Sequence, residues 1–296
     1  MSLAALVRVT ILLSMALLLV SLGLRSNPGD ASYLLRKPAL LVRSVLAMNL
    51  IMPVLITLLV LILNLRPAVE VALVALSVSP VPPFLPDKML RLTRHQGYVY
   101  GLLVVSTVLA LILVPLATAI LQHFELRREH LATIESVPFS VVAKIVGSTI
   151  LLPLACGVAL RSRWPGLVPR AAPLMSKAGG VLLILAVIPL LLSQGTAMIS
   201  LLGDGTLLAS IAFSAIGLLI GHTLGGPDPR DRTVLALGTA SRHPAVALAV
   251  TSAVSPDQTL APAAILLALL VGIFAAAPYS SRQAKLLDQA ITLRSN

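Results

Sequence analysis

Long apolar runs separated by short polar stretches make up most of this chain, and the interruptions inside two of those runs carry much of its information. A bilayer-crossing helix needs roughly 20 mainly apolar residues. That rule predicts spans at about 4–24 (I), 38–63 (II), 97–122 (IV), 137–160 (V), 172–193 (VI), 205–224 (VII) and 258–278 (IX). Two further runs are broken by proline. A shorter apolar piece at about 67–79 leads into Ser79-Pro80-Val81-Pro82-Pro83-Phe84-Leu85-Pro86, followed by a short amphipathic piece at 87–92. Each proline removes a backbone donor and clashes with the preceding turn, so this is expected to be a broken span III, with Pro80, Pro82, Pro83 and Pro86 in the break. The run at about 230–253 contains Gly238-Thr239-Ala240-Ser241-Arg242-His243-Pro244-Ala245. It is expected to be a second broken span, VIII, with Gly238 and Pro244 at the break and the carbonyls of Thr239 and Ala240 released. The competing reading is a plain loop between two short helices.

Composition makes this an all-α polytopic membrane protein: 57% of the 296 residues are hydrophobic, 11% are charged, and the mean hydropathy is +0.99. No stretch is left for a soluble domain, so residues 1–296 read as one membrane domain in the lipid bilayer. The first run is expected to be a retained span and not a signal peptide, since Arg25 follows it without a small-residue cleavage site. A net charge of +11 does not imply nucleic acid, because the basic residues lie in short loops where they set topology. The loops after I, III, V and VII, with the C-terminal tail, hold Arg25, Arg36, Lys37, Lys88, Arg91, Arg94, Arg161, Arg163, Arg170, Arg230, Arg232, Arg282, Lys285 and Arg294. The other side holds only Arg66, Arg127 and Arg128, and collects Glu125, Glu129, Glu135, Asp204 and Asp257. The positive-inside rule then puts the N-terminus outside and the C-terminus inside the cytoplasmic membrane, and calls for an odd number of spans, nine. Cys156 is the only cysteine and is expected to be inert packing.

The broken spans III and VIII stand five spans apart. Displacement by an odd number inverts topology, the arrangement that sets two discontinuous helices across each other near the midplane. Spans I to IV (repeat 1, about 4–122) then match VI to IX (repeat 2, about 137–278 with span V), and the first helix of the first repeat is missing.

Polar chemistry at membrane depth marks the candidate site. In span VIII, Thr239 and Ser241 can exchange hydrogen bonds, Arg242 can clamp an anion or collect carbonyls, and His243 can donate or accept. No acid lies in the centre of an apolar span to neutralise Arg242. Ser106 and Thr107 in span IV and Asn49 in span II, ahead of Met52-Pro53, are further candidates. Motifs for a nucleophile elbow, a zinc hydrolase or a phosphate-binding loop are missing, which argues against an enzyme and against ATP-driven transport.

These features together resemble the bile acid:sodium symporter family, in a divergent bacterial-type form, within the wider superfamily of bile acid, auxin-efflux and arsenite-type carriers. Arg36-Lys37-Pro38-Ala39 and Leu50-Ile51-Met52-Pro53 resemble the family's basic-proline start and its Leu-Met-Pro. Ser79-Pro80 resembles its Cys-Pro, Ser106-Thr107 its Ser-Thr, and Arg242-His243-Pro244-Ala245 lies where it has Gln-Asn-Ser-Gly. The resemblance implies an inverted-repeat carrier fold with two crossing helices. It also brings in sodium as the one ion to consider, but most of the implied ligand positions are substituted. The family's glutamate is Gly238, its neighbouring glutamine is Arg242, its Ser-Asn pair is Leu85-Pro86 and a serine is Leu103, leaving Thr107 as the main matching ligand. The expected function is secondary transport of a small organic anion without those sodium sites and with no cofactor. A non-transporting membrane receptor or assembly partner of the same fold is the alternative.

Overall fold

Proline decides where the helices of this protein break. The computed structural model describes residues 3–123 and 137–295. The central polar segment with Glu125, Arg127, Arg128, Glu129 and Glu135 lies outside the described residues. Every regular element among the described residues is helical. Span I is α1 (Leu3–Arg25), and span II is α2 (Pro38–Val45) continuing into α3 (Met52–Ile62) through a widened π-type turn, Leu46–Ile51. Span III divides into α4 (Pro67–Val78) and α5 (Leu85–Thr93), and span IV is α6 (Gln96–His123). Span V is α7 (Phe139–Val146) and α8 (Leu152–Arg163), joined by a second π-type turn, Gly147–Leu151. Spans VI and VII are α9 (Val168–Ser200) and α10 (Thr206–Leu224). Span VIII divides into α11 (Pro229–Ala240) and α12 (Pro244–Val254), and span IX is α13 (Ala261–Ser295).

Seven of these spans are long and apolar enough to cross a membrane. The two runs that are not, III and VIII, are the proline-broken ones and form two pairs of short helices. Break positions shift in two places. Pro86 is the second residue of α5, where a missing N–H costs nothing because first-turn donors have no helical acceptor. Gly238 lies inside α11. There it keeps α11 close to α6, because a Cβ at Gly238 would stand 2.9 Å from Leu102 Cδ2.

Between membrane helices there is no hydrophobic drive, so association relies on small residues and hydrogen bonds. Helix α1 packs against α8 and α9 in this way. Its Gly23 meets Gly157, and Ser14 and Ser21 donate to the carbonyls of Gly179 (2.8 Å) and Ala172 (2.7 Å). On the other side of the molecule α10 runs against α11 through Gly217, Gly221 and Gly225, which face Ala240, Ala236 and Arg232 in an antiparallel register. That contact lets α11 be buried along Thr233 to Ala240. The broken helices pair crosswise: α4 packs on α12, and α5 packs on α11. On the face carrying the basic loops, Tyr33 Oη lies 3.0 Å from His95 Nε2 and His95 Nδ1 lies 2.8 Å from Asp231 Oδ1, tying two loops to the first turn of α11. That last contact is an ion-pair approach and not an aligned hydrogen bond, since both atoms lack a partner of regular geometry. Cys156 is exposed on α8 and takes no part in the interior packing expected for it.

Candidate functional site

Three backbone carbonyls at interruptions of the helices lack helical donors, and one guanidinium collects them. In the π-type turn of span II the Met52 N–H donates to Ala47, five residues back, so it no longer serves Met48. The next donor in that register would be residue 53, a proline with no N–H. The Met48 carbonyl is left over. At the end of α4 the chain turns extended at Ser79 ahead of Pro80, which frees the Ser79 carbonyl. At the end of α11 Thr239 loses its helical partner, because the His243 N–H turns away to the Pro80 carbonyl at 2.9 Å. Arg242 donates from Nε to Thr239 O (3.1 Å), from Nη1 to Ser79 O (3.0 Å) and from Nη2 to Met48 O (2.8 Å).

The breaks in III and VIII therefore touch, through the Arg242–Ser79 bond and the His243–Pro80 bond. Arg242 is 1% exposed, and among the described residues no carboxylate pairs with it. Its charge is balanced by dipoles. Val78 and Ala240 end α4 and α11, so the guanidinium stands at two helix C-termini, each worth roughly half a negative charge. The other halves, α5 and α12, present their positive N-terminal ends to the same crossing. Of the five donors of a guanidinium, three serve carbonyls, and the rest are available. Arg242 and Ser241 line a small cavity of about 40 Å³ with Phe84, Phe213 and Gly272, room for a water molecule.

A model of the sodium bile acid symporter family matches residues 11–201. The chain belongs to that family. No curated protein matches the chain. The matched stretch takes in spans I to VI, with the Met48 turn and the break at Ser79-Pro80, and stops short of α11 and Arg242. The arginine that joins the two breaks therefore lies outside the matched stretch, and one of its partners, Ser79, lies inside it.

The remaining candidates divide between structural and open roles. The Thr239 hydroxyl donates back to Leu235 O (2.8 Å) and Ser106 to Leu103 O (3.1 Å), the self-satisfied state common for these side chains in membrane helices. Thr107 Oγ1 is buried with no partner among the described residues, so it keeps its capacity for a ligand. His243 is fully buried. Its Nδ1 accepts from the Ala245 N–H at 3.2 Å and caps α12, leaving Nε2 buried without a partner among the described residues. Asn49 is half-buried beside the residue whose carbonyl matters, Met48. Pro80 acts through its carbonyl, Pro82 and Pro83 extend the loop between α4 and α5, and Pro244 starts α12. Met48 was hidden from side-chain reasoning, although a proline five residues downstream signals its orphaned carbonyl. Another grouping with metal-ligand chemistry is His95, Asp228 and Asp231, whose ligand atoms lie within 4.8 Å. It ties the basic-side loops together, and Asp228 caps α11 by accepting from Arg230 N (2.8 Å).

Proposed function

We propose that this protein is a secondary transporter of small organic anions in the cytoplasmic membrane, in which Arg242 is a built-in cation at the helix crossing and sodium is not required. Membership of a transporter family carries the general reading, and the bonds from Arg242 to Ser79, Thr239 and Met48 carry the particular one. Carbonyl oxygens at helix C-termini are what a hard monovalent cation would use as ligands. Here they already accept from a guanidinium. A sodium ion brought within 4 Å of that charge would be repelled by roughly 4 kcal/mol at an effective dielectric of 20. No side chain at Gly238 offers a compensating carboxylate. The residues present therefore do not suit sodium at this spot.

The same arrangement favours an anion. The fixed charge of Arg242 and the N-terminal ends of α5 and α12 converge on the crossing, and Ser241 and His243 Nε2, on the residues either side of Arg242, supply further polar atoms. In this reading the two halves of the chain form an inverted repeat, nine spans in all, with the basic loops cytoplasmic. Substrate charge pairs with the crossing while the helices packed on α1 move relative to those around the breaks. The test is uptake into proteoliposomes of labelled monocarboxylates and organosulfonates, with protein-free vesicles as the baseline. Accumulation of at least one anion above that baseline supports transport. Binding of such anions with no flux in either direction would point instead to the receptor role.

A further inference from the structure

A second site, away from the crossing, lies where α10, α11 and α13 meet. A cavity of about 640 Å³ opens there, with His222 from α10, Arg232 from α11, and Tyr279, Arg282 and Gln283 from α13 as its polar walls. Its apolar walls include Leu219, which is 65% exposed, and Leu286, 47% exposed, so an oily mouth adjoins a cationic end. The level in the membrane follows from the helices. His222 stands in the last turn of α10 and Arg232 in the first turn of α11. At 1.5 Å per residue, Arg282 lies roughly 32 Å along α13 from Ala261, one bilayer core away. All three groups therefore sit at one membrane surface, the one bearing the basic loops.

Two guanidiniums there keep unused donors among the described residues. Arg232 holds its stem in place by donating from Nε to Gly226 O at 2.6 Å, which leaves both terminal nitrogens of its guanidinium without a partner among the described residues. Arg282 is exposed and makes no ion pair among them. His222 Nδ1 and Tyr279 Oη lie 2.8 Å apart and close the polar end of the cavity. Among the described residues no carboxylate lines it. The acids at this end of α11 face elsewhere: Asp228 accepts from Arg230 N and Asp231 lies against His95.

We infer that this cavity binds an anionic glycerophospholipid of the adjoining leaflet, with its phosphodiester between Arg232 and Arg282 and its acyl chains over Leu219 and Leu286. Basic pockets between membrane helices at a headgroup level have this chemistry. A lipid seated there would staple α11 to α13. Since α11 ends at the residues that bond Arg242, the staple would steady the crossing from the surface.

The experiment uses the full chain purified in a neutral detergent. Its melting temperature and its lipid adducts in native mass spectrometry are followed as phosphatidylglycerol, phosphatidylcholine with the same chains, or inorganic phosphate is added. Phosphatidylglycerol should raise the melting temperature and remain bound, whereas the other two should do neither. Arg282→Gln, at an exposed position, should fold normally and weaken phosphatidylglycerol binding about five-fold, as expected for one basic group at about 1 kcal/mol. Arg232→Gln with Arg282→Gln should remove the shift, and Arg163→Gln, at the C-terminal end of α8 beside Trp164, should leave it intact. Equal stabilisation by phosphatidylcholine, an equal effect of phosphate alone, or an Arg282→Gln variant with full affinity would each overturn the assignment.

Discussion

At the scale of the residue, the protein turns on how one arginine is tolerated inside a membrane domain. A charge in a low-dielectric interior is costly unless its donors find acceptors. Arg242 finds three carbonyls that lack helical donors, so charge and broken backbone satisfy each other. Arg242→Ala would orphan all three, at about 1–3 kcal/mol each. The expected result is a clearly lowered melting temperature in detergent, with Arg242→Lys between parent and alanine because an ammonium keeps the charge but loses the planar fork. A melting temperature unchanged in Arg242→Ala would show that the three bonds contribute nothing. The sequence revealed Arg242 as a buried charge without an acid, but whether it would hold backbone or ligand could not be read from it. Two of the three acceptors are main-chain atoms of residues 163 and 194 positions away, and no side-chain pattern records them. Thr239 and Ser106, proposed from residue type, bond to their own helices instead.

At the scale of the element, both breaks were legible because proline acts locally: four prolines in one stretch and Pro244 in the other end helices wherever the chain is placed. Their limits were less legible. Pro86 and Gly238 fall in helices because a proline is accepted in a first turn and a glycine is accepted where a neighbour comes close. The α10–α11 contact went unread in the sequence, although Gly217, Gly221 and Gly225 recur every four residues. It makes a sharp prediction. A Cβ on Gly221 would stand 2.5 Å from the Ala236 nitrogen, and one on Gly217 would stand 2.6 Å from Ala240 Cα. Gly221→Ala should destabilise by about 1–3 kcal/mol through overpacking. Gly195→Ala, where a Cβ meets nothing within 4 Å, should be neutral or gain up to about 1 kcal/mol of helix propensity. Thermal denaturation of the two variants side by side distinguishes a packing stripe from a coincidence of spacing.

At the scale of the whole molecule, charge asymmetry and helix pairing lead to one arrangement. The loops after α1 and α10 should face the cytoplasm, and the loop between α9 and α10, with Asp204, should face outside. With exposed Cys156 replaced by serine, Pro28→Cys and Pro227→Cys should react with a membrane-impermeant maleimide only from the cytoplasmic side, and Gly203→Cys only from outside. Labelling with the opposite sidedness would reverse the topology. The family fold was legible in the order of prolines and polar pairs over most of the chain. The substrate and its route were not, because they depend on a cavity assembled from distant spans. The most direct test of the central claim is the initial rate of organic-anion uptake into proteoliposomes, measured with sodium or choline outside, for the parent and for Arg242→Ala. Equal rates in the two salts for the parent, with uptake by Arg242→Ala reduced to the protein-free baseline, are the predicted result; sodium-stimulated uptake by the parent, or undiminished flux in Arg242→Ala, would contradict it.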